Sequence, residues 1–392
     1  MKKKKGLDRR IGSVLRAILL APFAGPLAVA GFRLAQVSNP GRIGHLATEV
    51  DAFLKERELG LIPDDHPILL LERKRAGNAA LLDTYRQYMT VWDKRWQKLV
   101  FTPFTKFSAF HMPLGRPVLG FAEAARYAQI NTLWGDRPPA VNLTQDVLDK
   151  GAAQLRKMGV PDGAWFVAAH VREAGYSPRD EHNHAHRNAD ISTFDAAFRA
   201  ITDAGGWVIR MGDPTMTPLP ETEQVIDYAT SEYKSDWMDL YLCAKTHFVL
   251  GTTSGLQLVA VMFGRPAALA NMIPHGGVLG MGPNDVSIPK SLTRDGQNLP
   301  LPQIFREGLS VQRYASVFDD AGVSIVPNTS AEIEALVREM MARLDGTFET
   351  TDDDEVLQNK FHALLGPADY SFGSSARVGC DWLRENRHLL EG

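Results

Sequence analysis

The sequence predicts an α/β protein built as two Rossmann-like domains with mainly parallel sheets facing across a cleft. Short apolar runs at residues 67–71, 165–169, 207–211, 248–250 and 267–271 alternate with longer stretches of helical periodicity. That alternation builds parallel sheets covered on both faces. At 392 residues the chain is longer than one ordinary domain. The alternation also breaks between Thr102 and Pro139, where five prolines fall among aromatics, and a fresh series starts at Trp165.

In chain order, Lys2 to Lys5 with Arg9 and Arg10 precede an apolar run from Ala17 to Phe32. The run is long for a signal core, carries Pro22 and Pro26, and is followed by Arg33 with no clear polar region leading to a small-residue cleavage site, so it does not read as a signal peptide. Basic residues beside an apolar surface suit an interfacial membrane segment, and a helix packed on the protein's own core is the alternative. The Pro- and Gly-rich turn at 39–45 opens a helix marked by Leu46, Val50, Phe53 and Leu54, then come the strand at 67–71 and a helix expected over 78–92. In the second series, helices are expected at 143–158, 194–204, 256–263 and 331–344, with a further strand at 324–327. The acidic run 352–355 reads as a solvated surface, and a final helix is expected near 376–389. The expected division is a membrane-associating segment 1–36, an N-terminal Rossmann-like domain 37–150, a C-terminal Rossmann-like domain 151–345, and a tail 346–392 packing back on the N-terminal domain.

Composition narrows the function. The chain is 44% hydrophobic and 23% charged, with a formal net charge of −3 and a pI near 6.4, which gives no basic face for nucleic acid. Cys243 and Cys380 are its two cysteines, too few for a disulfide framework and without metal-site spacing, so a reducing compartment fits. No GxGxxG in a strand-to-helix setting, GxxxxGK[ST], GxSxG or HExxH motif occurs. Dehydrogenases, P-loop kinases, serine hydrolases and zincins are thereby disfavoured.

Two stretches carry chemistry. His170-Val-Arg172 follows the strand at 165–169, at the edge where open α/β sheets collect ligands. Arg172 offers a fork of donors and a permanent charge to a phosphate or a departing diphosphate; an ordinary ion pair is the other reading. In the second stretch, a helical face from Asp239 through Leu240, Leu242 and Cys243 runs into the strand at 248–250 and then Gly251-Thr252-Thr253-Ser254-Gly255. Hydroxyls and unhindered N–H groups at such a turn suit an anion. Arg210 ends the strand at 207–211 before Gly212-Asp213-Pro214, which brings it toward the same crevice, whereas Asp213 is either a site carboxylate or a turn residue. Asp236 reads as a helix N-cap, and Asp239 in the first turn reaches backbone or a nucleoside. His182, His184 and His186 alternate in a loop-like tract lacking a helical His pair, so no metal is expected there.

In combination these residues resemble the fucosyltransferase-like branch of GT-B glycosyltransferases. The resemblance rests on the HxR motif at His170 and on Asp239-Leu240 running through a strand into Thr252-Thr-Ser254. More closely, His170-Val-Arg-Glu-Ala-Gly-Tyr176, Arg187-Asn-Ala-Asp-Ile191, Val208 to Asp213, Ser235-Asp236 and Ile288-Pro-Lys290 are similar to a bacterial glycosyltransferase family. The resemblance covers roughly 160–310, with Gly41-Arg42-Ile-Gly44-His45 more loosely. It implies a GT-B-like fold and a transferase moving a sugar from a nucleotide-diphosphate sugar to a glycan or lipid-linked acceptor, as in polysaccharide biosynthesis. Arg172 would bind the diphosphate and stabilise the leaving group without a metal or other cofactor. Thr252, Thr253, Ser254 and Gly255 would hold phosphate, His170 and Asp239 would lie near the base, and Arg210 and Gly212 would complete the donor side. Glu173 or Asp213 would assist as general base, and Gly41, Arg42, Gly44 and His45 would line the acceptor side. Glu173-Ala174-Gly175 stands where Arg-Gly-Asp is common in fucosyltransferases, so neither fucose nor GDP is implied. The expected location is cytoplasmic and peripheral at the inner membrane face through residues 1–36. A nucleotide-sugar epimerase or hydrolase on the same fold, and a non-catalytic glycan- or nucleotide-binding protein, are the alternatives.

Overall fold

In the computed structural model, residues 25–106, 111–113, 125–174 and 178–391 are described, together with 15, 18, 19, 22 and 23. The lysine cluster at the start of the chain and Tyr176 lie outside the described residues. The chain divides into two compact units, 1–118 and 119–392.

In the first unit, β1 (Phe32–Gln36), β2 (His66–Leu70), β3 (Thr90–Trp92) and β4 (His111–Pro113) form a parallel sheet in the order β3-β2-β1-β4. β1 is therefore central, and Leu34 and Ala35 are fully buried in it. This moves the C-terminal bound of the expected interfacial segment, because residues 32–36 belong to the sheet: a continuous apolar run reads alike as a lipid-facing helix and as a covered strand. The helix expected over 78–92 stops at Tyr85, because Thr90, Val91 and Trp92 belong to the residue types that favour strands and pair with β2. Asn78 starts that helix by accepting from the N–H groups of Ala80 and Leu81. The helix Ile43–Glu58 buries Leu46, Val50 and Phe53, and Leu46 also accepts a hydrogen bond from the buried Tyr85 hydroxyl at 2.9 Å.

The second unit contains β5 (Phe166–His170), β6 (Trp207–Arg210), β7 (Val225–Ile226), β8 (Val249–Gly251), β9 (Ala267–Met272), β10 (Val286–Pro289) and β14 (Arg377–Val378). They form one parallel sheet in the order β14-β10-β9-β8-β5-β6-β7. The chain starts at β5, winds outward through β6 and β7, then returns to the other side of β5 at β8, which is the doubly wound pattern. Ser324–Val326, expected to extend the series, is instead β13 of a small antiparallel sheet with β11 (Ser291–Arg294) and β12 (Gln297–Asn298).

Two expected boundaries move. Residues 125–150 belong to the second unit rather than the first. Asn131 Nδ2 donates to Met281 O at 2.7 Å, and the helix Gln145–Lys157 packs Gly151 so tightly on Tyr241 that a Cβ there would lie 2.0 Å from the ring. The tail is likewise part of the second unit, where β14 pairs with β10. Asp352, Asp353 and Glu355 of its acidic run are exposed, as expected, but the run also starts the helix Asp352–His362 behind a Thr351 capping box, and its Asp354 is buried and receives Arg384 at 2.6 Å. The helix expected near 376–389 resolves into β14 and the short helix Cys380–Glu385.

Candidate functional site

The doubly wound order places a switch point between β5 and β8, whose carboxyl ends, His170 and Gly251, stand in register. Ligands of open α/β sheets collect in that crevice. The Thr252 N–H donates to His170 O at 3.2 Å, and the buried Thr252 hydroxyl accepts from the Arg172 N–H at 3.0 Å. Thr253 Oγ1 bonds both the N–H and the carbonyl of Ile273 at 3.1 Å, and Ser254 Oγ accepts from the Leu256 N–H. The hydroxyl-rich turn thus spends its Thr252 and Thr253 hydroxyls, and one bond of Ser254, on holding the loops that follow β5, β8 and β9 together. Gly255 stays partly exposed just before the short helix Gln257–Met262.

Cations do more to mark the site. Arg172 Nη1 donates to His184 O and to Asn188 Oδ1, both at 2.7 Å, with Glu181 3.9 Å from Nη2. Arg187 Nη2 donates to Thr253 O at 2.9 Å. Lys290, just past the end of β10, donates to the carbonyls of His186 and Asn188 at 2.9 and 2.7 Å. Two cationic side chains, Arg172 and Lys290, therefore bind one segment, 184–188, over the carboxyl edge of the sheet, and Arg187 within that segment ties it to the turn after β8. Burial, with Arg172 nearby, pulls the Lys290 ammonium down to about 8.

His186 sits inside this cluster. Both of its ring nitrogens are buried without a partner. Burial first, then the neighbouring Arg187, lowers its pKa to about 4, so the ring is neutral at pH 7. A neutral imidazole carries one donor and one acceptor. His170, at the end of β5, is also held to about 4 by burial and Arg210, and its Nδ1 is buried and unpartnered. Of the alternating histidines, the His184 and His186 rings lie 6.3 Å apart, with His184 also stacked on Tyr314 at 5.7 Å and His186 5.5 Å from Phe318.

Other predicted site residues are committed elsewhere. Arg210 is fully buried and pairs with Asp227 and Glu173, both at 2.9 Å, so it does not reach the crevice as a free donor. Glu173 places its second oxygen on the Thr217 N–H, which occupies the carboxylate proposed as a base. Asp213 accepts from the N–H and hydroxyl of Thr215, the turn role. Gly212 has φ +151 and no room for a Cβ beside Met216 Sδ, 2.1 Å away. The Asp239 carboxylate accepts from Tyr228 Oη at 2.8 Å and from the Lys234 ammonium. Asp236 is the first residue of its helix and Ser235 the cap position.

In the first unit, Gly41, Arg42, Gly44 and His45 follow β1 at a corresponding switch, since β1 lies between β2 and β4. His45 Nδ1 lies 2.9 Å from the fully buried Glu49 and 3.2 Å from Ser38 Oγ. Glu49 also accepts from the Ser38 N–H at 2.7 Å and from its hydroxyl. This orients the ring and leaves Nε2 without a partner among the described residues. A cavity of about 660 Å³ opens instead at Phe32, His66 and Thr90, where β1, β2 and β3 begin, and none of the predicted site residues lines it.

No family model and no curated protein matches the chain. Among solved structures it is similar to a glycosyl transferase of family 9 from Veillonella parvula at 11% identity, with TM-score 0.38, over 61% of this chain and 80% of that one. It is similar to the E. coli heptosyltransferase WaaC with ADP at 11% identity, TM-score 0.32, over 61% and 86%. It is also similar to the spinosyn forosaminyltransferase SpnP at 10%, TM-score 0.33, over 92% and 100%. At such values, function has to be read from this chain's own residues.

Arg187 and Lys290 were not singled out as site residues from sequence. Both stand in the motifs that carry the family resemblance, Arg187-Asn-Ala-Asp-Ile191 and Ile288-Pro-Lys290. A basic residue closing a strand was the available signal.

Proposed function

We propose that the chain is a GT-B glycosyltransferase that moves a sugar from a nucleotide-diphosphate sugar to a glycan or lipid-linked acceptor. The observation that carries this reading is the convergence of Arg172, Arg187 and Lys290 around the unpartnered His186, at the switch point of a doubly wound sheet. Such a cluster suits a compact polyanion, and the neutral His186 and His170 add hydrogen bonding without adding charge.

In the transfer, an acceptor hydroxyl forms a bond to the anomeric carbon while the bond from that carbon to the diphosphate oxygen breaks, its electron pair leaving with the diphosphate. The cations stabilise the charge that develops there, the role a metal takes in other transferases. Glu173 and Asp213 are hydrogen-bonded to Arg210, Thr217 and Thr215, so the hydroxyl proton leaves to solvent as the new bond forms.

The test is incubation with GDP-, UDP-, CMP-, dTDP- and ADP-sugars, with and without glycan acceptors, followed by product analysis. Transfer that requires the acceptor, persists in EDTA and falls on the order of a hundredfold in Arg172→Ala supports the reading. Acceptor-independent release or epimerisation of the sugar contradicts it.

A further inference from the structure

The first unit leaves two apolar surfaces in solvent, and both rise from one small core. Leu34, Ile68, Leu70 and Phe104 form that core, and Leu27, Ala28, Phe32, Trp92 and Phe101 pack against it. Leu27 and Ala28 end the helical segment that precedes β1, and Phe101 ends the helix Arg95–Phe101, with the Trp92 ring 4.3 Å from Phe101. Outward from these anchors the apolar side chains are bare. Leu15, Ile18, Leu19, Pro22 and Phe23 recur at three- and four-residue spacing, one stripe of a helix, and Ile18, Leu19 and Phe23 are 62%, 74% and 67% exposed. The helix Arg95–Phe101 buries none of its residues and exposes Trp96 at 58% and Leu99 at 54%.

The charge around these surfaces is mainly basic. Lys94 and Arg95 are exposed beside Trp96, and Lys98 faces Arg75 and Lys74. Glu72 lies there too, 3.2 Å from Lys74, and Asp93 is held by Arg86 at 2.8 Å. Residues 1–36 contain eight lysines and arginines against the single acid Asp8, in a chain whose net charge is −3.

We propose that these two surfaces form one docking face for an anionic lipid bilayer, with the exposed Leu15, Ile18, Leu19 and Phe23 and the helix Arg95–Phe101 as paired anchors. Trp and Leu side chains enter the headgroup boundary while the cations meet anionic headgroups. Two weak anchors on one rigid unit hold a surface far better than either does alone. A second copy of the chain is the poorer occupant, because an isologous contact would set cations against cations. Among the described residues no helix is long and apolar enough to cross a membrane. The proposal stands independently of glycosyl transfer.

The test uses the full chain with vesicles of phosphatidylcholine alone and of phosphatidylcholine with 30% phosphatidylglycerol. The expected result is sedimentation with the anionic vesicles at least tenfold above the neutral ones, weakened by salt. Trp96→Glu with Leu99→Glu, at exposed positions that leave the fold intact, lowers it at least tenfold although residues 1–36 are unchanged. A dye on Trp96→Cys shifts to the blue on adding anionic vesicles. Equal binding to both vesicles, sedimentation unchanged in the double variant, or a concentration-dependent dimer that the double variant abolishes would each overturn the proposal.

Discussion

Arg172 and Arg210 both lie near carboxyl ends of neighbouring strands, yet their surroundings assign them opposite work. Arg210 is fully buried between Asp227 and Glu173, so its charge is consumed in holding the loops after β5 and β6. Glu173→Ala leaves that buried guanidinium short of a partner and is expected to cost about 3–5 kcal/mol of stability in urea unfolding. Donor affinity of the folded fraction stays near wild type. Lys290 gives a different signature. Its ammonium, held to about 8, is charged below that pH and neutral above it. Affinity for a nucleotide sugar, whose diphosphate charge is constant there, should weaken about tenfold between pH 7 and 9.5, and Lys290→Met should remove that pH dependence in calorimetric titrations. Much of this was closed to sequence reading. His170-Val-Arg172 marks the crevice because it ends an apolar run. That Glu173 turns to Arg210, or Asp239 to Lys234 and Tyr228, depends on partners brought near only by the fold.

At the scale of elements, local pattern was a good guide where capping and periodicity agree. The helix Ser330–Leu344 begins at a Thr329 capping box and follows its apolar spacing, as expected from 331–344. Pattern failed where burial and lipid ask for the same residues, as in β1, and where a strand is too short to show a period, as in β3 and β14. The helix Gln145–Lys157 shows how a boundary can hide in one small side chain. Gly151 lets it lie against Tyr241, and Gly151→Ala should force the contact apart, lowering stability by roughly 1–3 kcal/mol. A melting temperature unchanged by that substitution would contradict the packing. The capped acidic run makes the same point, because Asp354 is held well below the usual carboxylate range by its hydrogen bonds with Arg384.

For the whole molecule, the alternation of elements made the α/β class legible, but not the strand order, because alternation alone does not say on which side of β5 the chain returns. That return at β8 creates the site. It also makes the second unit sensitive to acid. Burial lowers His170, His186 and His275 to about 4, and lowers His247 and His362 as well. A histidine whose folded pKa is depressed contributes stability above its unfolded value and loses it as pH falls toward the folded one. Asp285, raised to about 7 by burial, and Asp239, also raised by burial, act in the opposite sense and are outnumbered. Melting temperature should therefore drop by several degrees between pH 6.5 and 4.5.

The central claim is that Arg172, Arg187 and Lys290 hold the diphosphate of a nucleotide sugar around His186. Isothermal titration of the wild type, Arg187→Met and Lys290→Met with nucleoside diphosphates of each base tests it most directly. At least one nucleotide should bind the wild type, and each variant should lose about tenfold or more in affinity while melting near the wild-type temperature. Binding of no nucleotide by the wild type, or equal affinity in all three proteins, would contradict it.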